Sequence, residues 1–337
     1  MGRMKKSLYF AGPDKVNIEE EPLRKPEEGE VLIDSILSSV SSGSEKLIYK
    51  DRLEKNTLLD TDIETLRGRF DYPVKYGYSV IGEVISTGKG VDEDLIGDKV
   101  FCFQPHESKF THSVEDIIPI PDDINPKDFS FLASMETAVN LVLDGAPLIG
   151  ENVIVIGQGV IGLLTTSILQ NFPLDNLITI EPLESRRKVS RKMGADFVVE
   201  DIRSLESTDL NDAGADLLYE LSGDLSSLEK AVEFARYNGR IIAGSWYGDQ
   251  AQELNLGTKF HRNRLKIKSS QVSSIDPDIS GRWTKSRRLD QAIKMIEDIK
   301  PKSLITHEIP FSEAERAYRL IDEHPEKCIQ IVLHYDI

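Results

Sequence analysis

Cysteine is nearly absent from this chain: Cys102 and Cys328 are the only two in 337 residues. Two thiols cannot build a disulfide scaffold or a four-cysteine structural zinc, and so low a count suits a reducing compartment. Basic residues are outnumbered, 41 against 57 acidic ones, which leaves a formal charge of −16. That balance disfavours a general grip on nucleic-acid phosphates and adhesion to anionic membranes. The local basic clusters, Ser185 to Lys188 and Lys259 to Lys268, read as solvated faces. Long apolar runs are missing too. The longest, Val153 to Leu169, is broken by three glycines, Gln158 and two threonines, and falls short of the roughly 20 apolar residues of a membrane span. Lys5 and Lys6 are followed only by S-L-Y-F before Gly12 and Pro13, which gives no signal-peptide pattern. No internal repeat is visible. The expectation is a soluble, cytoplasmic protein acting on a small molecule, with neither nucleic acid nor membrane as partner.

Charged residues at 29% and hydrophobic ones at 39% exclude a disordered or collagenous chain. The length predicts roughly two domains, and the texture changes near residue 122. Before it, short β-rich segments such as Val31 to Leu37, Tyr78 to Gly88 and Asp98 to Phe103 alternate with Gly and Pro, the pattern of a strongly bent β-barrel. Leu58 to Phe70 has no clear class. From about Asn125 to Ser274, strand and helix patterns alternate, which predicts a parallel sheet covered on both faces. Helical patterns at Leu289 to Ile299 and Ser312 to Glu323 precede an apolar strand, Ile329 to Tyr335, that can return to the first domain. The fold class expected is α/β: a discontinuous β-rich domain over 1–122 and 275–337, with a doubly wound parallel-sheet domain over 123–274 inserted in it.

The segment N-V-I-V-I-G-Q-G-V-I-G-L-L spaces Gly157, Gly159 and Gly162 as G-x-G-x-x-G. It follows an apolar strand, opens an apolar helix and precedes a strand ending in Glu181, 19 residues beyond the last glycine. Those are the context requirements of a dinucleotide turn. Gly157 permits the tight turn, Gly159 lets backbone approach a pyrophosphate, and Gly162 lets the helix pack closely. The amides of Val160 and Ile161 then face the anion. Glu181 accepts from ribose hydroxyls and opposes a 2′-phosphate, since like charges about 4 Å apart cost up to roughly 4 kcal/mol at an effective dielectric of about 20. NAD is therefore expected ahead of NADP. Arg186 and Arg187 are the counter-argument, because a nearby arginine accepts a 2′-phosphate; otherwise they form an exposed first helical turn.

With S-S-G-S-E (41–45), Y-G-Y-S-V-I-G-E-V (76–84), G-D-K-V-F (97–101), the glycine turn, D-L-L-Y-E-L-S-G (216–223) and N-G-R-I-I-A-G (238–244), the chain resembles a medium-chain dehydrogenase/reductase over essentially its whole length. The resemblance implies a GroES-like β-barrel catalytic domain and a Rossmann domain with the active site in the cleft between them. It also implies hydride transfer involving a nicotinamide, a cofactor contact at Ser222, and a homodimer formed through an edge strand. The residues around Trp246 to Leu256 can supply that surface, or Trp246 and Tyr247 can line the active site. Zinc-dependent members carry a cysteine where Ser42 stands, G-H-E where this chain has Gly77, Tyr78 and Ser79, and a later ligand where Ala133 stands. The cysteine-rich zinc lobe is absent. Serine, tyrosine and alanine cannot replace a thiolate–imidazole sphere, so neither a catalytic nor a structural zinc is expected. The wording of P-V-K-Y-G-Y-S, F-C-F-Q-P-H, M-E-T-A-V-N and R-L-K-I-K-S-S-Q-V-S-S is similar to bacteriochlorophyllide a dehydrogenase-like proteins.

Without the metal, hydrogen-bond donors or a general base must manage the substrate oxygen. Ser44 stands at the proton-relay position of the zinc-dependent relatives. Tyr78 occupies a lost ligand position and offers its phenol. Glu136 lies in an apolar helix where burial can make it an acid or base. His106 lies in the connection replacing the zinc lobe and can titrate near neutrality. Each has a plainer alternative: serines bonding turn backbone, a barrel tyrosine with an exposed hydroxyl, a glutamate paired with lysine or arginine, an ordinary loop histidine. The remaining histidines, His112, His261, His307, His324 and His334, show no ligand spacing. A hydride donor stabilised by conjugation needs less help than a simple alkanol, so a benzylic- or allylic-type secondary alcohol or its ketone is expected. The competing expectations are an NADPH-dependent quinone or enoyl reductase and a non-catalytic nucleotide-binding regulator.

Overall fold

The structure is a computed structural model that describes residues 4–205 and 214–335. It divides into two units, Met1–Ala133 with Lys300–Ile337, and Ser134–Ile299. The first unit opens with the antiparallel pair β1 (Met4–Gly12) and β2 (Lys15–Pro22). Then come β3 (Glu30–Val40), helix α1 (Ser44–Tyr49), β4 (Val80–Thr87), β5 (Lys99–Cys102), β6 (Lys109–Ser113), β7 (Ile118–Pro119) and the short α2 (Pro126–Phe129). The stretch 58–70 contributes only a single 3-10 turn and an isolated bridge between Leu58 and Arg69.

Helix α3 (Leu132–Gly145) leads into the second unit, where strand and helix alternate: β8 (Asn152–Ile156), α4 (Val160–Leu169), β9 (Asn176–Ile180), α5 (Glu184–Lys192), β10 (Phe197–Val199), β11 (Ala215–Glu220), α6 (Leu225–Phe234), β12 (Ala235–Ala243), β13 (Lys266–Ser269) and α7 (Lys285–Ile299). The six strands are all parallel, in the order β10-β9-β8-β11-β12-β13. Every residue of β8 is buried, as a strand covered on both faces must be, and that explains its unbroken apolar run. The strand order reverses between β8 and β11, which sets a topological switch point at their carboxyl ends.

The chain then returns to the first unit through β14 (Ile305–Pro310), α8 (Ala314–Glu323) and β15 (Gln330–His334). There β15 pairs antiparallel with β3 and parallel with β14, completing a seven-stranded sheet ordered β14-β15-β3-β4-β5-β7, with β6 also on β3. Its core gathers Phe10, Tyr49, Phe311, Tyr318 and Tyr335, with Phe311 stacked on Tyr335 at 4.5 Å between ring centres.

The sequence reading closes the inserted domain at 274, whereas the compact division falls after Ile299. The difference is α7. Its Arg288, 2% exposed, donates to Glu136 Oε1 on α3 from Nε at 3.1 Å and Nη2 at 2.8 Å, and to Asn140 Oδ1 at 2.7 Å. An anchor of that kind keeps the helix with the parallel sheet. Breaking a buried pair leaves an uncompensated charge, so Arg288→Met is expected to cost about 3–5 kcal/mol in urea unfolding. The double variant with Glu136→Leu is expected to recover much of that loss. Additive losses would show that the two side chains do not act as a pair.

Candidate functional site

At the carboxyl end of β8 the chain turns through Gly157 with φ +91°. A Cβ there would lie 2.7 Å from Leu221 O and from Ser222 N and Cα, so a side chain is barred by the neighbouring strand exit as well as by the dihedral. A Cβ on Gly162 would fall 1.9 Å from Gly157 O, which forces helix α4 onto the turn without a side chain between. Gly159 has open space where its side chain would be. The first α4 amide to bond back is Leu163 N–H, to Gly159 O at 2.9 Å. The N–H groups of Val160, Ile161 and Gly162 belong to the first turn, which has no intrahelical acceptors. Gly157, Gly159, Val160, Ile161 and Gly162 thus form one cradle with the polarity an anion requires.

Glu181, 3% exposed, follows β9. Its Oε2 accepts from Gln158 N–H at 2.8 Å and its Oε1 from Leu183 N–H at 2.9 Å. A carboxylate has about four lone-pair directions, so acceptor capacity remains for a diol. The two arginines after it separate: Arg187 donates to Glu181 O at 2.9 Å and Pro182 O at 2.5 Å, while Arg186 lies half-buried in the first turn of α5. Ser222 stands beside Gly157, but both its N–H, at 2.8 Å, and its hydroxyl donate to Glu220 Oε1. It therefore offers a ligand lone pairs rather than a donor.

In the first unit, Ser44 Oγ lies 2.9 Å from Tyr78 Oη and 2.9 Å from Ser41 Oγ, and Tyr78 donates to Ser41 Oγ at 2.6 Å. Three hydroxyls close a triangle between the start of α1 and the segment before β4. Burial raises the Tyr78 phenol above its ordinary value, against the lowering effect of its bonds to Ser41 and Ser44. Ser41 N–H in turn donates to Glu45 Oε1 at 2.7 Å. Glu45 is wholly buried; its Oε2 accepts from Tyr318 Oη at 2.6 Å and lies 3.1 Å from His106 Nε2. His106 Nδ1 lies 2.7 Å from Ser38 Oγ, itself 3.0 Å from Tyr335 Oη.

Two expectations change here. His106 is not a residue of an open connection: it is 0% exposed, sealed under Gly77, whose Cβ would lie 2.6 Å from Nε2. Its ring is shut off from solvent and packed between Glu45 and Ser38. Glu136 is held by Arg288, a cation that does not deprotonate, and this takes away the free carboxyl expected of an acid or base. The sequence reading names Tyr247 as able to line the active site but gives no role to Ser41, Glu45 or Glu220, the residue to which Tyr247 donates. The only available signals were Glu45 in S-S-G-S-E and Glu220 in D-L-L-Y-E-L-S-G, an acid inside an apolar strand.

The positions that the resemblance assigns to a metal carry Ser42, Tyr78 and Ala133. Cys102 is fully buried in β5, where burial pushes its thiol up. Among the described residues no group of three or more His, Cys, Asp or Glu could hold a metal ion. Two hydroxyls and a methyl do not fit a zinc sphere.

Among the described residues, no helix is long and apolar enough to cross a membrane. Residues 160–291 match the family Zinc-binding dehydrogenase. The chain is 26% identical over 266 residues to D-guloside 3-dehydrogenase of Escherichia coli (strain K12), covering 76% of each. It is 28% identical over 339 residues to L-threonine 3-dehydrogenase of Pyrococcus furiosus, covering 88% of this chain and 89% of the relative. An alcohol dehydrogenase of E. coli CFT073, solved with the cofactor NADH, shares the fold at a TM-score of 0.79 and 18% identity, over 99% of this chain and 100% of that one. The family match and both curated relatives are dehydrogenases, and the solved structure shares the fold of the whole chain.

Proposed function

We propose that this protein is an NAD-dependent dehydrogenase that interconverts a secondary alcohol and its ketone without zinc, on a conjugated substrate. The observation that carries the proposal is the Ser41–Ser44–Tyr78 triangle, with Tyr78 standing at a metal-ligand position of zinc-dependent relatives. The dinucleotide is supported by the amide cradle at Val160 to Gly162, by Glu181 after β9, and by the NADH-bound relative of the same fold. When bound, that cofactor supplies the hydride acceptor for an alcohol or the hydride donor for a ketone.

The chain's own part is proton management. In the reductive direction Tyr78 Oη gives its proton to the ketone oxygen; in the oxidative direction it receives the hydroxyl proton. Ser41 and Ser44 hold the phenol oxygen and stabilise the charge it develops. Glu45, fixed by Tyr318 and His106, orients Ser41 through its backbone amide. A neutral phenol is a weaker electrophile than a metal ion, which favours a carbinol whose hydride leaves with help from conjugation, in keeping with the bacteriochlorophyllide a dehydrogenase-like wording. A homodimer belongs to the same proposal, supported by β13, which has no further strand beyond it among the described residues.

Four outcomes test this. Tyr78→Phe is expected to lower kcat by about 10²–10⁴-fold with little change in KM, and Ser44→Ala by less; an unchanged kcat for Tyr78→Phe sinks the assignment. Because the phenol is raised, ketone reduction is expected to hold through neutral pH and to fall only above the ordinary tyrosine range near 10, as the phenol loses its proton. Protein treated with EDTA and shown metal-free by mass spectrometry is expected to keep its turnover; stoichiometric zinc whose removal abolishes turnover would overturn the metal-free proposal. Glu181→Ala is expected to weaken NAD by about 1.5–3 kcal/mol, the worth of hydrogen bonds to a charged group, and to shift preference toward NADP. Calorimetric titration with both dinucleotides reads the ratio, and a variant that keeps the wild-type ratio removes Glu181 from that role.

A further inference from the structure

We infer that Glu220 sets the preference of the site for the oxidised over the reduced nicotinamide. The inference presumes the dinucleotide site proposed above. Glu220 is the last residue of β11 and pairs in register with Ile156, the last residue of β8, and with Ala243 at the end of β12. It therefore lies at the switch point, where ligands of doubly wound sheets bind. Two residues on, Ser222 meets the turn at Gly157. With Glu181 marking the adenosine half after β9, the β11–β13 half remains for the nicotinamide.

Glu220 is 0% exposed. Its carboxylate accepts from Ser222 N–H at 2.8 Å, from Ser222 Oγ, and from Tyr247 Oη at 2.5 Å. All three donors are neutral. Elsewhere in this unit the buried Glu136 is matched by Arg288 and Glu151 by Arg240, while the described residues place no cation in ion-pair contact with Glu220 or Glu181, and of these two only Glu220 stands on the β11–β13 side of the switch point. Ionised carboxylates are costly to bury, and hydrogen bonds satisfy the lone pairs without cancelling the charge. A single cationic side chain would do so, yet the loop after β12 brings up Tyr247 instead. The loops after β11 and β12 are also tied together, through Gly223 N–H to Ser245 Oγ at 2.9 Å, so the carboxylate is held in place.

The missing countercharge has a natural source in the ligand. An oxidised nicotinamide ring carries one positive charge and a reduced ring carries none. Because Glu220 is wholly buried, its negative charge would act on the ring through its field rather than by contact; it would lower the energy of the oxidised form alone, with a shift on the order of tenfold as the expected scale. The consequence is an enzyme poised to take up the oxidised cofactor and to release the reduced one, which suits the alcohol-oxidising direction.

The test is calorimetric titration of wild-type protein and two variants with NAD+, NADH and ADP-ribose, the last lacking the nicotinamide. Glu220→Gln removes the charge and keeps the shape. Tyr247→Lys leaves the carboxylate and sets an ammonium opposite it. Both are expected to weaken NAD+ by roughly tenfold while NADH and ADP-ribose stay within about twofold. Either variant suffices if the other does not fold. An equal loss for all three ligands would mean that Glu220 only shapes the loops, and an unmoved NAD+/NADH ratio would equally overturn the inference. If the wild type binds none of the three, the dinucleotide site itself is refuted, a failure distinct from an unmoved ratio in protein that binds.

Discussion

Between Gly157 and Gly162 the chain brings its own backbone so close that a methyl group on residue 162 would overlap the Gly157 carbonyl oxygen. That approach presses the mouth of α4 against the end of β8, where the helix begins after Gly159 with no side-chain cap. The same constraint fixes the neighbouring strand exit, because Gly157 leaves no room for a side chain between itself and Ser222. The unpaired amides, the carboxylate of Glu181 and the carboxylate of Glu220 all take their positions from this one crowded turn. A substitution that opened it would move several polar groups at once.

The first unit solves a different problem. Its hydroxyl triangle is small, and hydroxyls rotate freely unless something fixes them. Here a buried chain of Ser41, Glu45, His106, Ser38 and Tyr335 does so, with Tyr318 as a second donor to Glu45. Such a network is an advantage only when every member is satisfied, since an orphaned group in low dielectric costs more than the bond it replaces. On the metal-free proposal, these hydrogen bonds do the orienting that coordination would otherwise do.

How much was legible in the sequence followed from how local the causes are. The glycine spacing, the apolar strand before it and the acid after β9 lie within about thirty residues, and all three sit where their pattern placed them. The parallel sheet was legible from its buried central strands. Its edges were not: β10 is three residues long, and β13 reads K-I-K-S, too polar to stand out. The pair Glu136–Arg288 spans 152 residues and joins two helices whose own patterns say nothing of each other. His106 looked like a loop histidine because its partners, Ser38 and Glu45, come from a strand and a helix far upstream. Where a side chain's role depends on which distant segment folds over it, local pattern is silent.

The pairing of β15 with β3 carries one more consequence. The sheet beside the hydroxyl triangle is assembled from segments on either side of the parallel-sheet unit in the sequence. During synthesis the inserted unit emerges complete while its host sheet still lacks β14 and β15. The early strands, β3 above all, must then wait with an unpaired edge and an unfilled apolar face until Tyr335 can stack on Phe311. Until β14 and β15 have been made, that edge stays open, so these two strands protect the first unit from edge-to-edge aggregation.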